Sequence, residues 1–92
     1  MAGRPYSVFG KVLDELARAR QVRGPYWIAD HMKARLGAEK AVSGVAVGKW
    51  MYGESHPRSD NLEKFSRAFD LDEPERIRLA YAYAYNKDPE RD

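Results

Sequence analysis

The residues Ser43 to Tyr52 carry the pattern most suggestive of chemistry: after the Ser43 hydroxyl come Gly44, Val45, Ala46 and Gly48, and then Lys49. Each glycine inside a helix costs roughly 1 kcal/mol against alanine, so small residues gathered there read as a surface built for close approach. A helix laid in the major groove of double-stranded DNA is one such case. Its backbone nears the base edges, Val45 or Ala46 meets a thymine methyl group, and Lys49 reaches a guanine acceptor or a phosphate oxygen. Close packing against a neighbouring helix explains the same residues equally well, and the segment alone leaves both readings open. Other chemistry is sparse. The absence of cysteine excludes a thiolate zinc site, a disulfide framework and a cysteine nucleophile. His31 and His56 come without metal-ligand spacing and read as structural or phosphate-contacting groups, so no metal or cofactor is expected. No nucleophile–base pair stands out, and the chain is not expected to be an enzyme.

The elements that must hold this segment are helical. Apolar residues recur at helical spacing along the chain and no run alternates with period two over strand length, which predicts an all-α fold of five helices. The first follows Ser7 as N-cap and places Phe9, Val12, Leu13, Leu16 and Ala17 on one stripe. Gly24-Pro25 stops it and opens a second helix with Ile28, Ala29, Met32 and Leu36 inward, capped at its end by Gly37. Ser43 caps a third running to about Tyr52, with Val47, Trp50 and Met51 inward and Gly53 as terminator. Asp60 and Glu63 form a capping-box pattern before a fourth, whose core face is Leu62, Phe65 and Phe69. Asp72 and Glu75 repeat that pattern before a fifth, Glu73 to about Asn86, with Ile77, Ala80, Tyr81 and Ala84 as its inward stripe. The polar tail, 87–92, is expected to fray, leaving an ordered core at about 7–86.

Composition bounds the partners. A chain of 92 residues, 33% of them charged, has room for a single domain, and no stretch approaches the ~20 apolar residues of a membrane span. With no apolar signal core behind the first residues, a cytoplasmic protein is expected. The net charge of +2 conceals an asymmetry: residues 1–58 hold ten basic and five acidic side chains, whereas 59–92 hold six and nine. A basic N-terminal part suits a polyanion, although scattered surface charge accounts for the same counts.

The residues from Ser43 to Leu71 resemble the lambda-repressor and Cro-type, or XRE-like, helix-turn-helix family. The likeness lies in Ser43 as cap, Val47 and Trp50 as core, the Trp50, Gly53 and Pro57 spacing, and the pattern of Leu62, Phe65, Ala68, Phe69 and Leu71. With Leu13, Leu16, Ile28 and Ala29 it extends over about residues 7–80. The resemblance implies a compact five-helix, lambda-repressor-like domain with a helix-turn-helix, in which 44–52 is the recognition helix. Gly44, Val45 and Lys49 then fall at base-contacting positions. Arg23, Tyr26, Lys40, Ser43, Tyr52, Ser55, His56 and Arg58 fall where phosphate contacts are expected. Two features depart from the family: Gly44 and Val45 have no hydrogen-bonding side chain, and the fourteen positions from Ala29 to Ser43 exceed the usual compact turn.

The implied function is a sequence-specific regulator of transcription that binds double-stranded DNA, a repressor of bacterial or phage origin. Tyr81, Tyr83 and Tyr85 on the fifth helix suggest a homodimer contact, since tyrosine is enriched at interfaces, and a two-fold dimer presents two recognition helices to two half-sites. The competing expectation is a helical interaction module, an adaptor or antitoxin-like chain whose partner is a regulatory protein.

Overall fold

A computed structural model describes residues 4–91. Five α-helices run through them: α1 (Val8–Arg18), α2 (Pro25–Leu36), α3 (Gly44–Met51), α4 (Ser59–Ala68) and α5 (Glu73–Tyr85), with a 3-10 turn at Ala38–Lys40. The described residues contain no strand, as the helical periodicity requires.

Local chemistry sets the helix ends. Ser7 Oγ accepts the Gly10 N–H at 3.0 Å, and Asn86 Oδ1, from the far end of α5, accepts that of Phe9 at 3.1 Å. Two of the four amides left free at the start of α1 are thus satisfied, one of them by a residue 77 positions away. Gly24 (φ +87°) and Pro25 open α2, where proline's missing N–H costs nothing, and Gly37 (φ +94°) closes it. At α5 the expected capping box is complete: Asp72 Oδ1 accepts from Glu75 N at 2.9 Å and Glu75 Oε1 accepts from Asp72 N at 3.0 Å. Helix α4 departs from expectation, with Arg58 rather than Asp60 at its N-cap. Asp60 already lies in the first helical turn, where its carboxylate complements the helix dipole, and Glu63 turns to Arg76 at 3.3 Å instead of back to the cap.

The core joins Phe9, Val12, Leu13, Leu16 and Ala17 of α1 to Ile28, Ala29 and Met32 of α2, Val47, Trp50 and Met51 of α3, and Phe65, Ala68, Phe69 and Leu71 in and after α4. Each large side chain fully buried there contributes about 1.5–3 kcal/mol. Helix α3 is held between α2 and α1. Its contact with α1 is backbone to backbone: a Cβ on Gly10 would overlap the Met51 carbonyl, and Ser7 N donates to Met51 O at 2.9 Å. Glycine at position 10 is therefore what lets α1 approach the end of α3.

The inward stripe assigned to α5 is overturned. Ile77 is 63% exposed, and Ala80, Tyr81 and Ala84 also face solvent, while Arg78, Leu79 and Ala82 are buried and Tyr83 half-buried. An ion-pair network accounts for the helix's rotation. Arg78 donates from Nε and Nη2 to the two oxygens of Asp88 at 3.0 and 2.7 Å, and from Nη2 to Glu15 of α1 at 2.9 Å. A bidentate pair fixes the guanidinium plane as well as its place, which turns position 78 toward α1. The tail is correspondingly docked rather than frayed: Asp88 is buried, and Arg91 reaches Glu15 at 2.9 Å. Of that segment only Asp92 lies outside the described residues. The contact with Arg78 holds the Asp88 carboxyl below the usual carboxylate range and raises the guanidinium in turn.

Candidate nucleic-acid interface

Helix α3 begins at Ser43, whose Oγ accepts the Ala46 N–H at 3.0 Å, and ends where the Lys49 carbonyl accepts the Glu54 and Ser55 amides at 2.8 and 3.2 Å. Val47, Trp50 and Met51 seat it on the core. At 100° per residue, Val45 and Lys49 point directly away from that buried face and share one outward line, which Tyr52 extends at the C-cap. Val45 is 55% exposed, and Lys49 is exposed with no carboxylate within 4.0 Å among the described residues.

The two glycines of α3 lie beside this line and have an intramolecular explanation. The Tyr26 ring occupies the space a Cβ on Gly44 would take, and Pro25 Cβ and Cγ lie 3.7 Å from the Cβ position of Gly48. The first turn of α2 therefore rests against the small-residue edge of α3. Of the three positions expected to meet bases, Val45 and Lys49 present side chains to solvent, whereas Gly44 serves the α2–α3 contact.

The residues expected at phosphates divide in the same way. Tyr26 is 64% exposed despite covering Gly44, so its ring edges α3 with the hydroxyl-bearing side chain at the surface. The cap bond leaves the Ser43 hydroxyl hydrogen free to donate. Tyr52 is half-buried, its ring 5.0 Å from that of Tyr6, and the Arg4 guanidinium lies 5.0 Å over it while also pairing with Glu54. Ser55 is exposed. So is His56, but its ring stacks on Tyr83 at 4.2 Å. Arg58 is exposed and loosely paired with Asp60 at 3.6 Å. Lys40 stands exposed on the 3-10 turn, one part of the 37–43 segment that fills the extra length between α2 and α3. Arg23 lines a cavity of about 470 Å³ with Gln21, Val22, Trp27, Asp30 and His31, and Trp27 is 68% exposed. His31 is structural, with Nε2 3.0 Å from the Ala68 carbonyl oxygen and its ring 4.3 Å from Phe69.

Electrostatics separate two groups of cations. Arg20 pairs with Glu75 at 2.7 Å and Arg35 with Asp70 at 2.8 Å, so two acids of the C-terminal part are taken by arginines of the N-terminal part, while Arg78 of α5 takes Glu15 and Asp88. Bonding to Arg20 holds the Glu75 carboxyl below its ordinary value. Arg23 just before α2, and Lys33, Lys40 and Lys49 between the start of α2 and the end of α3, have no carboxylate within 4.0 Å among the described residues, and the same holds for Lys11, Lys64, Arg67 and Lys87 elsewhere in the fold.

Of the tyrosines expected at a dimer contact, Tyr81 and Tyr85 are exposed, 38% and 65%, with rings 4.9 Å apart. Tyr83 is excluded from that role. It stacks on His56, meets the edge of Phe9 at 5.8 Å and donates its hydroxyl to Pro57 O at 2.6 Å, holding the α3–α4 loop onto α5.

Sequence reasoning missed Arg4 and Gly10. Nothing in an arginine near the N-terminus marks its seat on Tyr52. A glycine in the first turn of a helix, on an otherwise apolar stripe, does signal a close backbone approach at position 10. Comparison with protein-family models, curated proteins and solved structures finds no match.

Proposed function

We propose that this chain is a sequence-specific, double-stranded-DNA-binding regulator of transcription of the lambda-repressor and Cro type, a cytoplasmic repressor that lays α3 in the major groove. One observation carries the reading: α3 is capped and seated on three core residues, and turns Val45 and Lys49, which makes no ion pair within 4.0 Å among the described residues, directly outward. Lys49 supplies a donor for guanine O6 or N7, and Val45 an apolar contact for a thymine methyl group. Arg23, Lys40 and Ser43 supply sequence-independent contacts to phosphate, with Tyr26 beside the start of α3. The test is a binding titration of Lys49→Ala on a duplex selected by the wild type. Affinity should fall about tenfold to a few hundredfold, on the order of 1–3 kcal/mol, with an unchanged melting temperature. Unchanged affinity would remove Lys49 from the interface.

The exposure of Tyr26 and Trp27 favours a second reading, a helical module for a protein partner, because aromatic side chains at the surface suit a protein interface. On that reading Trp27→Ala abolishes partner binding and Lys49→Ala leaves it intact.

A further inference from the structure

The cavity between the α1–α2 connection and the outer side of α2, about 470 Å³ and lined by Gln21, Val22, Arg23, Trp27, Asp30 and His31, has the size of a small-molecule site. Both of its walls are fixed. On one side Val22 N donates back to Ala17 O at 3.0 Å and Gln21 N to Arg18 O at 2.8 Å, with Gln21 held in the left-handed region at φ +64°. On the other, Trp27, Asp30 and His31 fall within an arc of about 100° on α2. His31 Nε2 donates to Ala68 O at 3.0 Å, and since a carbonyl only accepts, Nδ1 is left as an acceptor. The remaining polar groups have no partners: Arg23 and Asp30 have no opposite charge within 4.0 Å, and the side chains of Gln21 and Trp27 make no hydrogen bond, among the described residues. The charges just outside the cavity are paired, Arg20 with Glu75 and Arg35 with Asp70.

We propose that this cavity binds a guanine nucleotide, with the base stacked on the Trp27 indole, its N–H edge on the Asp30 carboxylate and its phosphate at Arg23. The order of the groups selects the ligand. Arg23 stands ahead of α2, Trp27 lies in its first turn, and Asp30 lies about 4.5 Å further along the axis. A matching ligand carries an anion at one end, a flat ring in the middle and hydrogen-bond donors on the far edge of the ring. An α-amino acid fails this order, because its ammonium and carboxylate share one carbon. A nucleotide meets it. Among the bases, guanine sets N1–H and the N2 amino group side by side, which suits the two oxygens of one carboxylate, whereas adenine turns the N1 lone pair toward the same position.

Exposure sets the strength. Trp27, Arg23 and Asp30 are all open to solvent, so the ligand is covered on one face only and its charges are screened. Affinity is therefore modest, with Kd on the order of 10 µM to 1 mM. The site needs no DNA, and it stands or fails separately from the reading of α3. Where both hold, the nucleotide phosphate and the duplex compete for Arg23.

Isothermal titration of the full chain, without DNA, with guanosine monophosphate, adenosine monophosphate, guanosine and inorganic phosphate tests it. Guanosine monophosphate should bind, and the other three should bind at least about fivefold more weakly. Trp27→Ala, at a surface position where folding is retained, should weaken guanosine monophosphate about 5- to 150-fold with an unchanged circular dichroism spectrum. Arg23→Ala should bring it down to the affinity of guanosine, and Asp30→Asn should erase its advantage over adenosine monophosphate. No binding up to about 5 mM, binding indifferent to Trp27→Ala, or inorganic phosphate bound as tightly as the nucleotide overturns the proposal. Equal affinity of the wild type for the two nucleotides overturns the assignment of guanine to Asp30.

Discussion

Gly10 and Gly48 both sit inside helices, and replacing each by alanine should change stability in opposite directions. At Gly48 the new methyl would lie 3.7 Å from Pro25, ordinary van der Waals distance, so nothing offsets the gain in helix propensity of about 1 kcal/mol. For a domain of this size that gain raises the melting temperature by about 4–8 °C. At Gly10 the methyl would overlap the carbonyl of Met51, an obstacle made of backbone that cannot rotate aside as a side chain can. Helices α1 and α3 must part, and the 2.9 Å bond from Ser7 N to Met51 O stretches with them. Overpacking of this kind costs typically 1–3 kcal/mol, and more against backbone, so even after the propensity gain a net loss of about 1–3 kcal/mol remains. Thermal denaturation followed by far-ultraviolet circular dichroism should show Gly10→Ala melting about 5–20 °C below the wild type and Gly48→Ala above it. If Gly10→Ala melts at or above the wild type, the close crossing of α1 and α3 does not exist.

Removing Arg78 should be among the most damaging single changes, because Asp88 is left buried without its partner: Arg78→Ala should cost about 3–5 kcal/mol in urea unfolding, and a loss under ~1 kcal/mol would mean the tail is not docked. Acid should act on the same pair. The carboxyls of Asp88 and Glu75 are lowered in the folded state, chiefly by hydrogen bonding to Arg78 and Arg20, so their stabilisation is fully present above the unfolded carboxylate values of about 4 and is lost as pH falls through the lower folded ones. Unfolding free energy measured from about pH 6 to about pH 2 should decline below about pH 4, and less steeply in Arg78→Ala. Tyr83→Phe removes the 2.6 Å bond to Pro57 O while keeping the ring on His56, and should cost about 1 kcal/mol; no loss would mean the hydroxyl does not hold the loop.

Local signals read well wherever the physics is local. Ser7, Ser43 and Asp72 cap the helices they precede because a cap depends on a residue and its near neighbours, and the apolar stripe of α1 faces inward because that helix has only one apolar face; Ile28, Ala29 and Met32 of α2 and Val47, Trp50 and Met51 of α3 are buried as their spacing predicts, although Tyr26, Trp27 and Val45 leave apolar surface outside. Helix α5 defeats the same reasoning. With two apolar faces its periodicity is ambiguous, and the face that packs is chosen by Glu15, 63 residues from Arg78 in the chain, together with Asp88. At the interface, Lys49 and Val45 were legible as outward positions once α3 had its register. Gly44 was not, because its reason is the ring of Tyr26, and contacts between helices leave no periodic trace.

The proposed reading of DNA sequence by α3 can be checked by selecting bound duplexes from a random pool and titrating the selected sequence and a scramble at two salt concentrations. Sequence reading by α3 requires a defined motif bound at least about 1,000-fold more tightly than the scramble, with affinity for both falling as salt rises. Equal, weak binding of the two duplexes that vanishes with salt would leave only charge attraction and contradict it.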